Sequence, residues 1–161
     1  MKIILLLLEH ANRRGKAVLE YLGVIVTNKG EGKEEMNHRI NEGNKVFGAM
    51  NGIWMNGNMT RRIKMELYET VVLAKVLYGS EVWCMSVHEK KKLEVFEMKC
   101  LRRICGVSRM DRIRNEEIKR RCGIKRSVLE RAEERTLKYF GHMERMGRDK
   151  IKRKVYDAEV E

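Results

Sequence analysis

The sequence predicts a mainly α-helical protein, in which a short N-terminal β hairpin precedes a bundle of about five helices. The chain of 161 residues has no proline, a residue that helix interiors exclude. Lys, Glu, Met and Arg are abundant, and their unbranched side chains lose little freedom in a helix. We expect one compact unit with a β element over residues 1–30 and a helical region over residues 31–161.

The expected β element has two apolar runs. Ile3 to Leu8 is predicted to form a buried strand, and the β-branched residues Val24, Ile25 and Val26 a second one before the turn "TNKGEG". The first run is shorter than the roughly 7–15 apolar residues of a secretory signal or the ~20 of a membrane span. We therefore expect no membrane association and an intracellular protein, either nuclear or cytoplasmic.

Two helices are predicted next from apolar residues at helical spacing. The face of the first comprises Met36, Ile40, Phe47, Met50 and Trp54, with Gly43 in the gap between them. The face of the second comprises Ile63, Leu67 and Val71, followed by Ala74 or Lys75. The segment "NGN" separates the two helices.

The stretch "YGSEVW", Tyr78 to Trp83, is predicted to be a turn between helices. Gly79 suits the positive φ that often ends a helix, and Ser86 with Glu89 has the spacing of a capping box that opens the next one. Ser80 lacks a neighbouring His or Asp, so a polar turn residue is favoured over a nucleophile. Core packing is favoured over base stacking for both Tyr78 and Trp83.

Three more helices complete the predicted bundle. The third has an apolar face of Leu93, Phe96, Cys100 and Ile104. After the interruption "GVSRMDRIRNEE", a short helix is expected to end at Gly123, and Ser127 with Glu130 repeats the capping box. The last helix has Leu129, Ala132, Leu137, Phe140 and Met143 on its predicted inner face and ends near Gly147.

Positive charge is the strongest sign of a partner. The net charge is +12, and residues 89–126 hold 14 Lys and Arg against 6 Asp and Glu. A local basic excess indicates a polyanion such as RNA, DNA or their hybrid, although a solvated helix face is an equally ordinary origin of a charge run. The candidate nucleic-acid-binding residues are Lys90, Lys91, Lys92, Lys99, Arg102, Arg103, Arg120 and Arg121.

No catalytic or metal centre is predicted. Asp occurs only at positions 111, 149 and 157, so the paired carboxylates needed for two-metal phosphoryl transfer are missing. Cys100, Cys105, Cys122 and His142 do not have the spacing of a compact zinc site, and Cys100 lies on an apolar stripe. We expect no cofactor and no small-molecule substrate.

Four segments occur in an order and spacing that resemble a known family. They are "YLGVIVTNKGEGKEEMNHRI", "LYETVVLAKVLYGSEVW", "KKLEVFEMKCLRRICGVSRMDRIRNEEI" and "EERTLKYFGHMERM". Together they resemble the C-terminal part of reverse transcriptases from non-LTR (LINE-type) retrotransposons, over roughly residues 18 to 155.

The resemblance implies that Tyr21, Leu22 and Gly23 correspond to the primer grip, at the end of the palm. It implies that the helices form a thumb-like region that holds a template–primer duplex by its backbone. The family's Tyr-x-Asp-Asp metal-binding motif would lie before Tyr21, where this chain has no Asp. We therefore expect a truncated fragment that is not an enzyme by itself.

One further departure from the family concerns the start of the short helix. Arg114 precedes "NEEI", where the family more often has a Thr that can cap the helix.

Three interpretations remain open at this point. The first is a non-catalytic thumb-like module that binds nucleic acid. The second is a helical domain that binds an acidic protein or the rest of a polymerase. The third is a transposon relic without function, which predicts exposed apolar surface and aggregation or a molten state.

Overall fold

The computed structural model describes residues 18–21, 24–27, 33–147 and 150. Strands β1 (Val18–Tyr21) and β2 (Val24–Thr27) pair antiparallel. The rest of residues 1–30, including the expected strand Ile3 to Leu8, lies outside the described residues, as does the tail 151–161. The predicted hairpin as a whole therefore stays a prediction.

The predicted mainly helical fold is confirmed. The helices are α1 (Lys33–Ala49), α2 (Asn51–Met55), α3 (Arg61–Leu67), α4 (Leu73–Val76), α5 (Val87–Ile104), α6 (Asn115–Cys122) and α7 (Val128–Glu144). A π-helical turn (Tyr68–Val72) joins α3 to α4 without a break, and a 3-10 turn (Ser80–Val82) precedes α5.

Both predicted capping boxes are present. The Ser86 hydroxyl accepts from the Glu89 amide, and the Glu89 carboxylate accepts from the Ser86 amide. Ser127 and Glu130 do the same at α7. Arg114, the N-cap of α6, provides no such side-chain bond, so α6 begins without the polar cap that α5 and α7 have.

The predicted apolar faces of the first and third helices are buried, although the first helix is divided at Met50 into α1 and α2. Met36, Phe47 and Trp54 are buried, and so are Leu93, Phe96, Cys100 and Ile104 of α5. Phe47 and Trp54 stack with ring centroids 4.7 Å apart, and the Trp54 indole N–H donates to the Phe47 carbonyl. These side chains form much of the core.

Gly43 permits the close approach of three helices. A Cβ at this position would lie 2.3 Å from Val76 Cγ2 and 3.1 Å from Phe96 Cζ. Contacts below about 3 Å do not occur between packed carbons, so a side chain here would push α1 away from α4 and α5. The gap in the apolar stripe of α1 is therefore a packing requirement.

The predicted inner face of the second helix is largely wrong, since only Leu67 of its residues packs against the core. Ile63 and Val71 are 46% and 41% exposed, whereas Met65, Tyr68, Val72 and Val76 are buried. Two sets of apolar residues recur at helical spacing in this part of the sequence, and the spacing alone does not show which of the two faces the core. Lys64 also lies on the buried side, because its ammonium donates to the Trp54 carbonyl at 2.8 Å and its stem packs like an apolar chain.

The "YGSEVW" segment is the predicted turn. Gly79 has a positive φ of 74° and precedes the 3-10 turn. From α7, Arg135 donates to the Leu77 carbonyl at 2.7 Å and Thr136 to the Ser80 carbonyl at 3.2 Å. The turn is therefore held in place by α7.

Three aromatic or apolar residues differ from expectation. Trp83 is buried as predicted, but Tyr78 is 50% exposed, and the Arg39 guanidinium lies 4.7 Å from its ring centroid. Leu137 and Phe140 are 73% and 52% exposed. The face of α7 next to the turn is used by polar contacts, which leaves these two side chains directed away from the core.

Candidate nucleic-acid interface

Helix α5 carries three cations that reach across to α1 and α2. Lys92 donates to the side-chain oxygen of Asn37 at 2.9 Å, and Lys99 to that of Asn44 at 2.8 Å.

The third cation is an arginine. Arg103 donates twice to the Asn51 side-chain oxygen, at 3.2 and 2.8 Å. We call these three pairs the cation–amide ladder.

The ladder follows from the spacing of its residues. Asn37, Asn44 and Asn51 recur every seven residues, and so do Lys92 and Lys99. Seven residues are nearly two helical turns, so side chains at this spacing lie on one face. The pairing runs in the same direction along both helices, and adjacent rungs on α1 are about 10 Å apart along the helix axis.

A groove of about 630 Å³ lies between α1 and α5 along two rungs of the ladder, Asn37–Lys92 and Asn44–Lys99. Its cationic lining consists of Lys91, Lys92 and Lys99, with His88 at one end. Among the described residues, its polar lining otherwise consists of asparagines, without a carboxylate, and its apolar lining consists of Ile40, Val95 and Phe96. We call it the α1–α5 groove.

The charges of Lys92 and Lys99 are hydrogen-bonded but not neutralised. An asparagine oxygen satisfies one of the three donors of a lysine ammonium and leaves the formal charge intact. The asparagine NH₂ groups are donors themselves. The groove therefore presents both cationic and neutral donors, the combination that contacts phosphate oxygens in protein–nucleic acid complexes.

The other predicted cations are differently placed. Lys90 forms a 2.8 Å ion pair with Glu133 on α7. Arg102 bonds the Ile113 carbonyl at 3.1 Å and the Asn115 side chain at 2.8 Å, and so ties α5 to the start of α6. These two side chains connect elements of the fold.

Arg120 and Arg121 share one acidic partner on α6. Both donate to the Glu117 carboxylate, at 2.7 and 2.8 Å. Hydrogen bonds from Arg120 and then Arg121 lower the pKa of Glu117 to about 2. Glu117 is therefore ionised at neutral pH and offsets much of their charge.

The predicted primer-grip residues lie at or beyond the limit of the described residues. Tyr21 is the last residue of β1, and Leu22 and Gly23 fall outside. Their assignment rests on the resemblance alone.

The α1 side of the groove was not predicted from the distribution of charge. Its asparagines carry no charge and so did not register in a count of Lys and Arg. The signal was nevertheless present, because Asn recurs at positions 37, 44 and 51 within segments already predicted to be helical.

The other candidate sites considered from the sequence are a metal site and a Ser80 nucleophile. Within residues 33–147, no three His, Cys, Asp or Glu side chains are close enough to hold a metal ion. Ser80 is fully buried, and its hydroxyl has no hydrogen-bond partner among the described residues. Two of the cysteines, Cys105 and Cys122, do approach each other, with sulfur atoms 3.1 Å apart.

No helix in the described part of the chain has the length and apolar character required to cross a membrane. Comparisons of the chain with protein-family models, with curated proteins and with solved structures found no significant match.

Proposed function

We propose that this chain is a non-catalytic module that binds the backbone of RNA, DNA or their hybrid in the α1–α5 groove, as a reverse-transcriptase thumb would. The observation that carries the proposal is the groove itself, where lysines lie beside asparagines without a carboxylate. Such a site attracts phosphate and makes no base-specific contact.

The spacing of the ladder suits a regular backbone. Rungs about 10 Å apart correspond to about three base steps along a duplex, because each step advances 3.4 Å per strand. Lys92 and Lys99 would therefore contact different phosphates. The proposal makes the protein an intracellular one, nuclear or cytoplasmic, because its ligand is there.

Fluorescence anisotropy with a labelled RNA–DNA hybrid, duplex DNA and single-stranded RNA tests the proposal. The key variant replaces Lys91, Lys92 and Lys99 by Gln. Its matched control replaces Arg62, Arg109 and Lys125 by Gln, three exposed cations outside the groove, so that both variants lose the same net charge.

We expect the groove variant to lower the magnitude of the log–log salt slope by about two to three, because each lost phosphate contact removes about 0.9 for a duplex and about 0.7 for a single strand. The control should change it by less than one. Equal effects of the two variants would refute the groove as the binding site.

A second proposal, a helical protein-interaction module, is favoured by the apolar surface at Leu137 and Val82, which are 73% and 58% exposed. A contiguous exposed apolar patch is typical of a protein–protein contact, and Val82 lies in the 3-10 turn that packs against α7, the helix of Leu137. A partner that co-purifies after nuclease treatment and is lost on Leu137→Glu would support it.

The relic interpretation instead predicts a broad, non-cooperative thermal transition of the isolated chain.

A further inference from the structure

Cys105 and Cys122 occupy equivalent positions at the ends of α5 and α6. Each is followed by a glycine with positive φ, 66° at Gly106 and 68° at Gly123. After Cys105, the Val107 amide donates to the Arg102 carbonyl at 3.0 Å.

The chain repeats this arrangement after Cys122, where the Ile124 amide donates to the Lys119 carbonyl at 3.1 Å. These are the hydrogen bonds of the Schellman motif. The sequences "CGV" and "CGI" thus form the same structure twice.

These two helix ends bring the two sulfur atoms within 3.1 Å of each other. That distance is shorter than the separation of two thiolates around a metal ion, which at Zn–S bonds of about 2.3 Å in a tetrahedron exceeds 3.5 Å. It is about 1 Å longer than the S–S bond of a disulfide. The pair is therefore better arranged for a disulfide than for a shared metal.

The two cysteines also differ in access. Cys105 is half-buried and lines a groove of about 300 Å³ that also contains Met55 and Arg61. Cys122 is 8% exposed, and burial raises its pKa to about 12. Cys105 is thus the thiol that is more accessible to a small reagent, and Cys122 is the more buried of the two.

We propose that Cys105 and Cys122 are a redox-sensitive pair, which closes to a disulfide on reaction with an oxidised low-molecular-weight thiol such as oxidised glutathione. The bond joins the ends of α5 and α6 and encloses the loop between them. Because the cysteines are 17 positions apart, closure restricts the unfolded chain substantially.

The chemistry is two exchanges. The Cys105 thiolate attacks one sulfur of oxidised glutathione, its S–S bond breaks, and one glutathione thiolate leaves and takes up a proton. The Cys122 sulfur then attacks Cys105, loses its proton to solvent and expels the second glutathione. Two protein thiols are oxidised, and one glutathione disulfide is reduced to two thiols.

The test uses the full chain with Cys84→Ser, which removes the exposed cysteine and leaves Cys100, which is 0% exposed. The folded protein is equilibrated with glutathione buffers, remaining thiols are alkylated, and tryptic peptides are weighed. We expect the peptide 104–109 joined to the peptide 122–125, and its loss on reduction or in a Cys105→Ser variant.

Two quantities accompany this product. The equilibrium constant for closure should be about a hundredfold larger in the folded chain than in denaturant, and the disulfide should raise Tm by about 6–12 °C. Glutathione retained on Cys105 while Cys122 remains alkylatable would overturn the proposal. So would equal closure constants in the folded and unfolded chains.

Discussion

Two basic regions of this molecule use their charges differently. In the α1–α5 groove, Lys92 and Lys99 are bonded to neutral asparagines. On α6, Arg120 and Arg121 are bonded to one carboxylate. A cation held by an amide keeps its charge available to an anion outside the protein, whereas Glu117 already compensates one of the two charges beside it. The partner of a basic residue therefore matters as much as its presence.

The largest expected effect concerns the packing that forms the groove. Gly43→Ala places a Cβ against Val76 and Phe96 and should lower the free energy of unfolding by about 1–3 kcal/mol. Gly48→Ala is the control, because nothing lies within 4 Å of a Cβ there, and it should stabilise the helix by about 0.5–1 kcal/mol. Urea denaturation measures both, and a neutral Gly43→Ala would contradict the close helix approach.

The second prediction concerns the uncapped start of α6. Arg114→Thr should raise the free energy of unfolding by about 1 kcal/mol, since Thr accepts a backbone hydrogen bond that Arg114 does not. Glu117 lies three residues later, so a capping box would also draw it away from Arg120 and Arg121. Ser127→Ala should lose about as much stability at α7. Chemical denaturation of both variants checks this, and a destabilising Arg114→Thr would contradict it.

The third prediction concerns variants that exchange the two kinds of pairing, cation with amide and cation with carboxylate. Asn44→Asp places a carboxylate beside Lys99 and should weaken nucleic-acid binding by about three- to tenfold, by compensating one cation and repelling phosphate. Glu117→Gln should leave binding equal or slightly tighter. Anisotropy at fixed salt measures both, and an unchanged affinity for Asn44→Asp would count against the groove.

The smallest effect is a pH dependence at Glu97, the buried carboxyl that joins α5 to α7. One oxygen accepts from the Val128 amide at 2.8 Å, and the Lys119 ammonium lies 3.9 Å from the other. Burial raises the pKa of Glu97 above its ordinary 4.5. The folded state therefore favours the protonated carboxyl, and this contribution to stability is lost as the pH rises from 4.5 through the raised pKa.

Glu97→Gln removes that titration. The stability of the native chain relative to the variant should fall as the pH rises across this interval, measured by urea denaturation at a series of pH values. A difference between the two proteins that is constant with pH would contradict the assignment.

Local rules predicted much of the helical structure correctly. Ser86, Ser127 and Gly79 act as expected because caps and positive φ depend on neighbouring residues alone. The inner face of the second predicted helix was missed because Ile63 and Val71 form a stripe as regular as the buried one. Only packing against the rest of the chain, with Lys64 reaching the Trp54 carbonyl, distinguishes the two.

The candidate site was predicted in part. Its lysines were predicted from the local excess of positive charge. That excess alone did not distinguish Lys99, whose partner is set by a tertiary contact, from Arg120, whose partner is set by helical spacing. Glu117 precedes Arg120 and Arg121 by three and four residues, so their pairing could be predicted from helical spacing. Asn44 lies 55 residues before Lys99, a pairing that only the fold reveals.

The most direct test of the central claim is the affinity of the double variant Asn44→Asp, Glu117→Gln for an RNA–DNA hybrid, measured by anisotropy across a salt series. The variant keeps the net charge of +12 and moves one carboxylate from α6 into the groove. The account predicts binding about three- to tenfold weaker, with a smaller salt slope. Unchanged or tighter binding would show that overall charge, and not the groove, determines the interaction.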